Sequence, residues 1–241
     1  MNSQKATLCA CKNKHRIPEN RLTDVADSLK SNGFEVCVVD DLCKLASEGS
    51  NELQRIAETV VFACHPRGVA SMFEWRGLNV KQLENLRTKS SREALKAWIP
   101  EHASEIFSDE FVEAAVSAMP STGTEKPSTV TENEGWFPVI DKQRCVDCGR
   151  CHDFCLFGVY SKVDGKVVVA QPEKCKNNCP ACARMCPERA IIFPKYDKSP
   201  INGGMDEEET FSAETMEAMY NERLRYRLQE RRKSVSLLKK S

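Results

Sequence analysis

Residues 145–155 read CVDCGRCHDFC and residues 175–187 read CKNNCPACARMCP, and together they hold eight of the thirteen cysteines in this chain of 241 residues. The two runs have nearly the same spacing, Cys145-x2-Cys148-x2-Cys151-x3-Cys155 and Cys175-x3-Cys179-x2-Cys182-x3-Cys186. A pair of apolar or small residues precedes each run, Val139-Ile140 for the first and Val169-Ala170 for the second. The repeat predicts two half-units that are related by pseudo-twofold symmetry.

The first run has the spacing that binds [4Fe-4S] clusters in bacterial dicluster ferredoxins, where three thiolates hold one cluster and the fourth ligates the other. Pro187 follows the second run, whereas Leu156 follows the first where the usual pattern has proline. Residues 136–193 resemble a bacterial-type 2[4Fe-4S] ferredoxin domain. The resemblance implies an α+β domain over residues 136–196 and two [4Fe-4S] clusters, held by Cys145, Cys148, Cys151 and Cys186 and by Cys175, Cys179, Cys182 and Cys155.

Other uses of these cysteines fit the sequence less well. Residues 148–152 also satisfy the C-x-x-C-H pattern of c-type haem attachment, but haem would leave six neighbouring cysteines unexplained. Zinc sites need only C-x2-C pairs, whereas each pair here belongs to a run of four cysteines. The odd number of cysteines excludes a fully paired disulfide framework, and thiols inside a cell are kept reduced. Iron–sulfur clusters are therefore the favoured interpretation.

The region before the runs has the rhythm of an α/β domain. Short apolar segments at residues 6–10, 34–39 and 60–63 alternate with helix-like patterns at residues 21–32 and 51–57. Such a βαβαβ order predicts a small parallel sheet covered by helices. Pro66 is suited to open a further helix, and residues 91–118 are predicted to form one or two amphipathic helices. Residues 1–118 are thus predicted to form an α/β N-terminal domain.

Four cysteines of this domain have a common position relative to the predicted strands. Cys9 and Cys11 end the first strand, Cys43 follows the second, and Cys64 ends the third. The carboxyl ends of parallel strands open on one edge of a sheet, so these four thiols are expected to meet there. They would suffice for a third iron–sulfur cluster or a four-cysteine zinc site, and the alternative is that they are ordinary buried thiols. Cys37 lies inside the second strand and is predicted to be a small buried hydrophobe.

The order of these pieces resembles the N-terminal domain of the flavin-binding subunit of heterodisulfide reductase. That family has a C-x-C after its first strand, a cysteine after its second, and an A-C-x-P-R at the end of its third. The counterparts here are Cys9-Ala10-Cys11, Asp41-Leu42-Cys43, and Ala63-Cys64-His65-Pro66-Arg67. The resemblance implies a place in an anaerobic, heterodisulfide-reductase-like complex with a flavoprotein partner. The chain lacks G-x-G-x-x-G and Walker motifs, so no FAD or NAD is expected to bind to it.

Two further segments complete the predicted organisation. Residues 119–135 are rich in proline, glycine and hydroxyl side chains, which indicates a linker. Residues 197–241 are predicted to form a flexible segment followed by an amphipathic C-terminal helix with one apolar stripe, Met216, Tyr220, Leu224 and Leu228. The stripe is expected either to fold back on this protein or to dock on a partner. Within the ferredoxin-like region, Asp164-Gly165 predicts a β-hairpin.

Charge and composition limit the classes of function. The chain has 35 basic and 35 acidic residues, which gives no general attraction to nucleic acid, and no apolar run is long enough to span a membrane. The N-terminus lacks a secretory signal, so a cytoplasmic location is expected. Residues 136–196 have ten Lys/Arg and six Asp/Glu, and two clusters would add about −4, so this region is near neutral.

These observations predict an iron–sulfur electron-transfer subunit that passes single electrons between a flavoprotein and another redox centre. A freely diffusing carrier that relies on electrostatic steering would be expected to have one strong sign of charge. The alternatives are such a free ferredoxin and a redox-sensing regulatory protein. No catalytic residue is predicted, because nothing in the sequence provides bond-making chemistry beyond the clusters.

Overall fold

The computed structural model describes residues 4–99, residues 134–204 and Arg225. The chain divides into two compact units between Gly135 and Trp136. The predicted linker lies outside the described residues except for Glu134 and Gly135, and so does the predicted C-terminal helix except for Arg225. The predicted helical region at residues 91–118 is described only as far as residue 99. Within the described parts of the chain, no helix is long and apolar enough to cross a membrane.

The first unit is built on a four-stranded parallel sheet, which confirms the predicted small parallel sheet. Its strands are β1 (Lys5–Cys9), β2 (Glu35–Val39), β3 (Val60–Ala63) and β4 (Gln82–Asn85), in the order β2-β1-β3-β4. The connecting helices are α1 (Glu19–Ser31), α2 (Leu42–Glu48), α3 (Glu52–Ala57), α4 (Pro66–Trp75) and α5 (Ser91–Leu95). Pro66 is the first residue of α4, as the sequence predicts.

The two central strands carry the core of this sheet. All four residues of β3 are buried, and in β1 every residue except Lys5 is buried. Leu8 lies opposite Val38 on one side and Phe62 on the other, and Leu8 and Phe62 are both completely buried. Full burial of a side chain of this size contributes about 1.5–3 kcal/mol to the free energy of folding. The ends of β1 and β3 are therefore held firmly in register.

The prediction that Cys37 is a buried hydrophobe is wrong. Cys37 is exposed, and the neighbouring Val38 is 46% exposed. The physical reason is the strand order, because β2 is an edge strand that has a hydrogen-bonded neighbour on one side only. Periodicity in a sequence indicates a strand but does not show whether that strand lies at the centre or at the edge of the sheet.

The second unit contains two short antiparallel strand pairs. β5 (Val139–Ile140) pairs with β8 (Ile191–Ile192), and β6 (Tyr160–Val163) pairs with β7 (Lys166–Val169). The predicted hairpin is present, because Asp164 and Gly165 join β6 to β7 with φ values of 50° and 77°, as a type I′ turn requires. Two one-turn helices, α6 (Arg150–Phe154) and α7 (Ala181–Met185), complete the unit together with a 3-10 turn at Pro172–Lys174.

An aromatic cluster closes the second unit around its terminal strands. The indole of Trp136 stacks on Phe193 with ring centroids 5.2 Å apart and meets Tyr196 edge-on at 6.5 Å. Both Trp136 and Phe193 are buried. These contacts hold the beginning of the unit, before β5, against its end, after β8. The segment that directly follows β8 is thereby fixed next to the segment that precedes β5.

Candidate metal centres

Strand pairing in the second unit explains which cysteines become neighbours. Ile140 pairs with Ile191, and Cys145 lies five residues after Ile140 while Cys186 lies five residues before Ile191. In the hairpin, Tyr160 pairs with Val169. Cys155 lies just before Tyr160 and Cys175 lies just after Val169, so this pairing brings the two cysteines toward each other. Each half of the unit therefore receives one cysteine from the other run.

The first set of thiols surrounds one cavity of about 360 Å³, a volume that includes the space open to solvent. Apolar side chains such as Ile140, Val167 and Ile191 form much of its wall. The cysteines that line this cavity are Cys145, Cys148, Cys151 and Cys186. This first set is one of the two ligand sets that the resemblance implies, and its role in binding a cluster stays a prediction.

The second set surrounds a similar cavity of about 380 Å³, measured in the same way. Its wall includes Pro138, Val159 and Tyr160. The cysteines that line it are Cys155, Cys175, Cys179 and Cys182. Two cavities of nearly equal size, each surrounded by four thiols from both runs, fit the pseudo-twofold symmetry that the sequence predicts.

The loop that carries Cys145 and Cys148 depends on two backbone features. Asp147 has a φ of 51°, and its carboxylate accepts a hydrogen bond of 2.8 Å from the backbone N–H of Val167 in β7. Gly149 has a φ of 81°, and a Cβ at this position would lie 2.8 Å from the Lys162 side chain. The loop is thus tied to the hairpin, and the left-handed turns direct consecutive thiols toward one cavity.

A hydroxyl group contacts a sulfur atom in the second set. Tyr160 is buried, and its hydroxyl donates a hydrogen bond of 3.1 Å to the Sγ of Cys182. Burial and the nearby Cys182 raise the pKa of the Tyr160 hydroxyl well above its ordinary value, so this group is a donor. No feature of the cysteine spacing indicates this contact, because it depends on the packing of β6 against the cavity.

Burial controls the protonation of these thiols in the metal-free protein. It raises the pKa of Cys151 and that of Cys175 from 9.0 to about 12, and it also raises the pKa of Cys182. These three thiols are therefore neutral at ordinary pH, which avoids the cost of burying several like charges together. Cluster ligands are thiolates, so binding must release these protons while the iron supplies the compensating positive charge.

The four predicted thiols of the first unit also come together at the carboxyl edge of its sheet. Cys9 ends β1, Cys11 follows it, Cys43 lies in the first turn of α2, and Cys64 follows β3. All four are between 3% and 8% exposed. Cys64 forms a hydrogen bond with Cys11 and interacts electrostatically with Cys9 and Cys43. Whether these neighbours bind metal or are ordinary buried thiols stays a prediction.

The environment of this N-terminal thiol group is closed to solvent. Burial raises the pKa of Cys9 from 9.0 to about 12, although the backbone N–H of Leu42 donates to its Sγ at 3.4 Å. The hydrogen bond with Cys11 and then burial place the pKa of Cys64 well above its ordinary value. Next to Cys64, burial and two arginines, Arg87 and Arg67, lower the pKa of His65 to about 4. Two arginines therefore act on the histidine that follows Cys64.

The arrangement of the thiols indicates which kind of metal centre they suit. Within residues 4–99 and 134–204, no three His, Cys, Asp or Glu side chains are close enough together to hold a single metal ion. The thiols of the second unit instead surround cavities. Four soft thiolate donors around one cavity suit a polynuclear iron–sulfur cluster. The donor set therefore fits a [4Fe-4S] cluster better than a preformed zinc site.

Comparisons with known proteins agree with this chemistry over the second unit. Residues 137–160 match a family model described as a 4Fe-4S binding domain. An uncharacterized ferredoxin of Methanocaldococcus jannaschii is 53% identical over 60 residues, which cover 24% of this chain and 41% of that protein. A second uncharacterized ferredoxin of the same organism is 39% identical over 58 residues, which cover 23% of this chain and 74% of that protein.

A third relative comes from a different organism. Ferredoxin-3 of Nostoc sp. is 37% identical over 80 residues, which cover 26% of this chain and 76% of that protein. The chain thus spans 41% of the length of the first relative but about three quarters of the other two. In all three comparisons, the matched segment is about a quarter of this chain.

Proposed function

Because this chain belongs to the ferredoxins, which are iron–sulfur electron carriers, we propose that it passes single electrons through two [4Fe-4S] clusters in its second unit. The observation that carries the proposal is the grouping of eight thiols into two sets of four, each around its own cavity. Each set takes three cysteines from one run and one from the other. Each bound cluster supplies exchange of one electron.

The ligands that we propose follow these two sets. Cys145, Cys148, Cys151 and Cys186 hold one cluster, and Cys155, Cys175, Cys179 and Cys182 hold the other. The apolar walls exclude water from much of each site, and the buried thiols need a positive partner before they ionise. A polynuclear iron centre meets both conditions. Both sites lie near the surface of the unit. The apolar residues that border the two cavities are between 44% and 63% exposed, and they are Val146, Leu156 and Phe157.

We further propose a third iron–sulfur cluster in the first unit, held by Cys9, Cys11, Cys43 and Cys64. Support comes from the burial of all four thiols and from the electrostatic interactions of Cys64 with the other three. Zinc is the alternative occupant. Arg67 and Arg87 act on the adjacent His65, so positive charge lies near a site that would carry net negative charge when it is filled.

The third part of the proposal concerns the context in which this carrier works. We propose a fixed electron-transfer subunit of a heterodisulfide-reductase-like anaerobic complex, which exchanges electrons with a flavoprotein through docking that involves the C-terminal helix predicted from the sequence. The matched ferredoxin segment is about a quarter of the chain, so most of the chain must serve something other than a minimal diffusing carrier. A free ferredoxin and a redox sensor are the alternatives.

Reconstitution of the full chain tests the cofactor content. After anaerobic incubation with iron and sulfide, about eight iron atoms per chain are expected for two clusters, and about twelve if the first unit holds a third. About four iron atoms, or zinc in stoichiometric amount after isolation, would contradict the proposal of two clusters. The number of clusters is read from iron, sulfide and the absorption of thiolate-to-iron charge transfer together.

Isolation of the untagged protein from its source without oxygen tests the context. A flavoprotein that co-purifies in fixed ratio would support the proposed complex. Docking through an apolar stripe should vary little with salt, because salt screens charges and leaves apolar burial in place. A chain that is recovered alone, and that reduces several unrelated enzymes at similar rates, would instead identify a free carrier.

A further inference from the structure

The two halves of the ferredoxin unit differ at two equivalent positions beside the sulfur atoms. Tyr160 is the fifth residue after Cys155, and Ile191 is the fifth residue after Cys186. Both lie in short strands, Tyr160 in β6 and Ile191 in β8, and each lines the cavity of its own half. A hydroxyl donor in one half is therefore replaced by an alkyl side chain in the other.

The second difference lies just before the second cysteine of each run. Asp147 precedes Cys148, and Asn178 precedes Cys179. Both residues have left-handed backbones, with φ values of 51° and 57°, so they occupy matching places in the two loops. A carboxylate in the first half thus corresponds to a neutral amide in the second.

The Tyr160 hydroxyl favours an added electron on the second set. It donates a hydrogen bond of 3.1 Å to the Sγ of Cys182, which is buried. Hydrogen bonds to cluster sulfur atoms are among the factors that set reduction potentials, because they stabilise the more negative, reduced state. The alkyl side chain of Ile191 cannot make such a bond in the first half, where backbone N–H groups donate instead, that of Ala190 to the Sγ of Cys186 at 3.3 Å.

The carboxylate of Asp147 has the opposite effect on the first set, although the backbone N–H of Asp147 donates to the Sγ of Cys145. In the metal-free chain its Oδ1 accepts a hydrogen bond of 3.7 Å from the Cys145 thiol, and the N–H of Val167 holds it there. A fixed negative charge at this distance disfavours an additional negative charge on the neighbouring cluster. The remaining charged residues around the cavities act in the same direction, because Arg150 and Glu188 offset each other at the first while Lys176 adds a positive charge at the second.

Solvent exposure and the backbone N–H groups that donate to the sulfur atoms of Cys145, Cys151 and Cys186 work against these two effects. Cys148 of the first set is exposed, whereas Cys182 of the second set is buried, and burial disfavours the more charged reduced state. The two specific contacts lie within 3.1 Å and 3.7 Å of sulfur atoms. Exposure acts on a whole cluster through the average surroundings, so we expect the direct contacts to dominate.

We propose that Tyr160 and Asp147 make the two clusters unequal, with the higher reduction potential at the second set and the lower at the first. The inference rests on the proposed function, since it requires both clusters. In the reconstituted protein, an electron supplied to the first set by a reduced redox partner would pass on to the second, which would leave the first oxidised again and the second reduced by one electron. No bond breaks in this step, and Tyr160 keeps its proton. The second set is therefore where the electron rests.

A potentiometric titration of the reconstituted full chain tests the proposal, with the reduced clusters followed by electron paramagnetic resonance. The unchanged protein should give two one-electron waves. Tyr160→Phe should lower the potential of the upper wave alone, and Asp147→Asn should raise that of the lower wave alone. In the double variant, the potentials of the two waves should converge. The ratio of electrons held by the two clusters should then change about tenfold, which corresponds to a change of about 59 mV in the difference between their potentials.

Tyr196→Phe is the matched control, because its hydroxyl bonds with Arg184 at 2.9 Å and not with sulfur. It should move neither wave, and every variant should keep its full iron content. Coincident waves in the unchanged chain, no shift in Tyr160→Phe, or equal shifts of both waves would overturn the inference while the two-cluster function stands. A chain that binds fewer than two clusters would overturn the proposed function itself, and the inference with it.

Discussion

The thiols of the two units are brought together by different means. In the second unit they come from two repeated runs, and strand pairing exchanges one cysteine between the halves. In the first unit they come from the ends of separate strands and from the start of α2, which meet only because the sheet is parallel. The repeat in the sequence therefore reveals the thiol sets of the second unit directly. The thiol group of the first unit can be found only through the expected sheet topology.

The two groups also differ in their access to solvent. The four N-terminal thiols are all buried, whereas the ferredoxin unit has an exposed Cys148 and exposed apolar residues beside both cavities. Electrons can enter or leave a cluster near the surface more easily than one that is enclosed. If both units hold clusters, as proposed, the ferredoxin unit is the expected point of exchange with redox partners, and the buried N-terminal site is expected to be shielded from direct exchange.

The largest expected effect comes from the cysteines that cross between the halves. Cys186→Ser should remove the cluster of Cys145, Cys148 and Cys151, because it deletes the fourth ligand of that set. Iron in the ferredoxin unit should fall from about eight atoms to about four. Cys155→Ser should remove the other cluster to a similar extent. Iron analysis and the disappearance of one of two paramagnetic signals measure the outcome.

The two variants also serve as controls for each other. Under the crossed assignment, Cys186→Ser spares the signal that depends on Cys175, Cys179 and Cys182. If Cys186→Ser instead abolished that signal and left the first intact, each run would bind its own cluster. The ferredoxin unit would then not exchange cysteines between its halves, and this difference from the first unit would disappear.

A somewhat smaller effect on metal content is expected in the first unit, which is proposed to hold a third cluster. Cys43→Ser should remove the metal of this unit, about four iron atoms for a [4Fe-4S] cluster, because it deletes one of four ligands. Cys37→Ser is the matched control, since Cys37 is exposed on β2 and lies outside the thiol group. Metal analysis of the full chain measures both. Equal metal content in the two variants and the unchanged protein would favour ordinary buried thiols.

Much of this arrangement could be predicted from the sequence, and the failures have identifiable causes. The cysteine spacing predicts both ligand sets, and the alternation of patterns predicts the parallel sheet. Strand β4 reads QLEN, which has no apolar run, so the sequence pattern does not predict it. The exposure of Cys37 depends on strand order, and the sulfur contacts of Tyr160 and Asp147 depend on how the hairpin packs. These features arise from long-range pairing that local patterns do not contain.

A smaller effect should follow from pH in the metal-free chain, because both units bury thiols. Burial raises the pKa of Cys9, Cys151 and Cys175 from 9.0 to about 12. The folded state then binds protons more tightly than the unfolded state, so this contribution to stability is complete below pH 9 and is lost as the pH rises toward 12. The metal-free chain should lose at least about 1 kcal/mol of its free energy of unfolding, which lowers Tm by about 2–4 °C for a chain of this size.

Thermal unfolding between pH 8 and pH 11 can check this expectation for both forms of the protein. The iron-loaded chain should be much less sensitive over this range, since its ligands are already thiolates. Equal losses of stability in loaded and metal-free protein would mean that other groups control the response. A Cys9→Ala variant should reduce the pH dependence of the first unit, which separates its share from that of the ferredoxin unit.

The smallest expected effect concerns the loop that presents the first run, for which the hairpin supplies a matched position. Gly149 and Gly165 have φ values of 81° and 77°, so alanine at either should cost about 1–2 kcal/mol of stability through left-handed backbone strain. At Gly149 the new Cβ would also displace Lys162 from its ion pair with Asp153, whereas at Gly165 nothing lies within 4 Å. Exposed ion pairs contribute little to stability because water screens them, so Gly149→Ala should lower Tm only slightly more than Gly165→Ala. Equal shifts would show that Lys162 moves aside without loss, and an unchanged Tm in both variants would contradict the left-handed turns on which the positions of Cys148 and Cys151 depend.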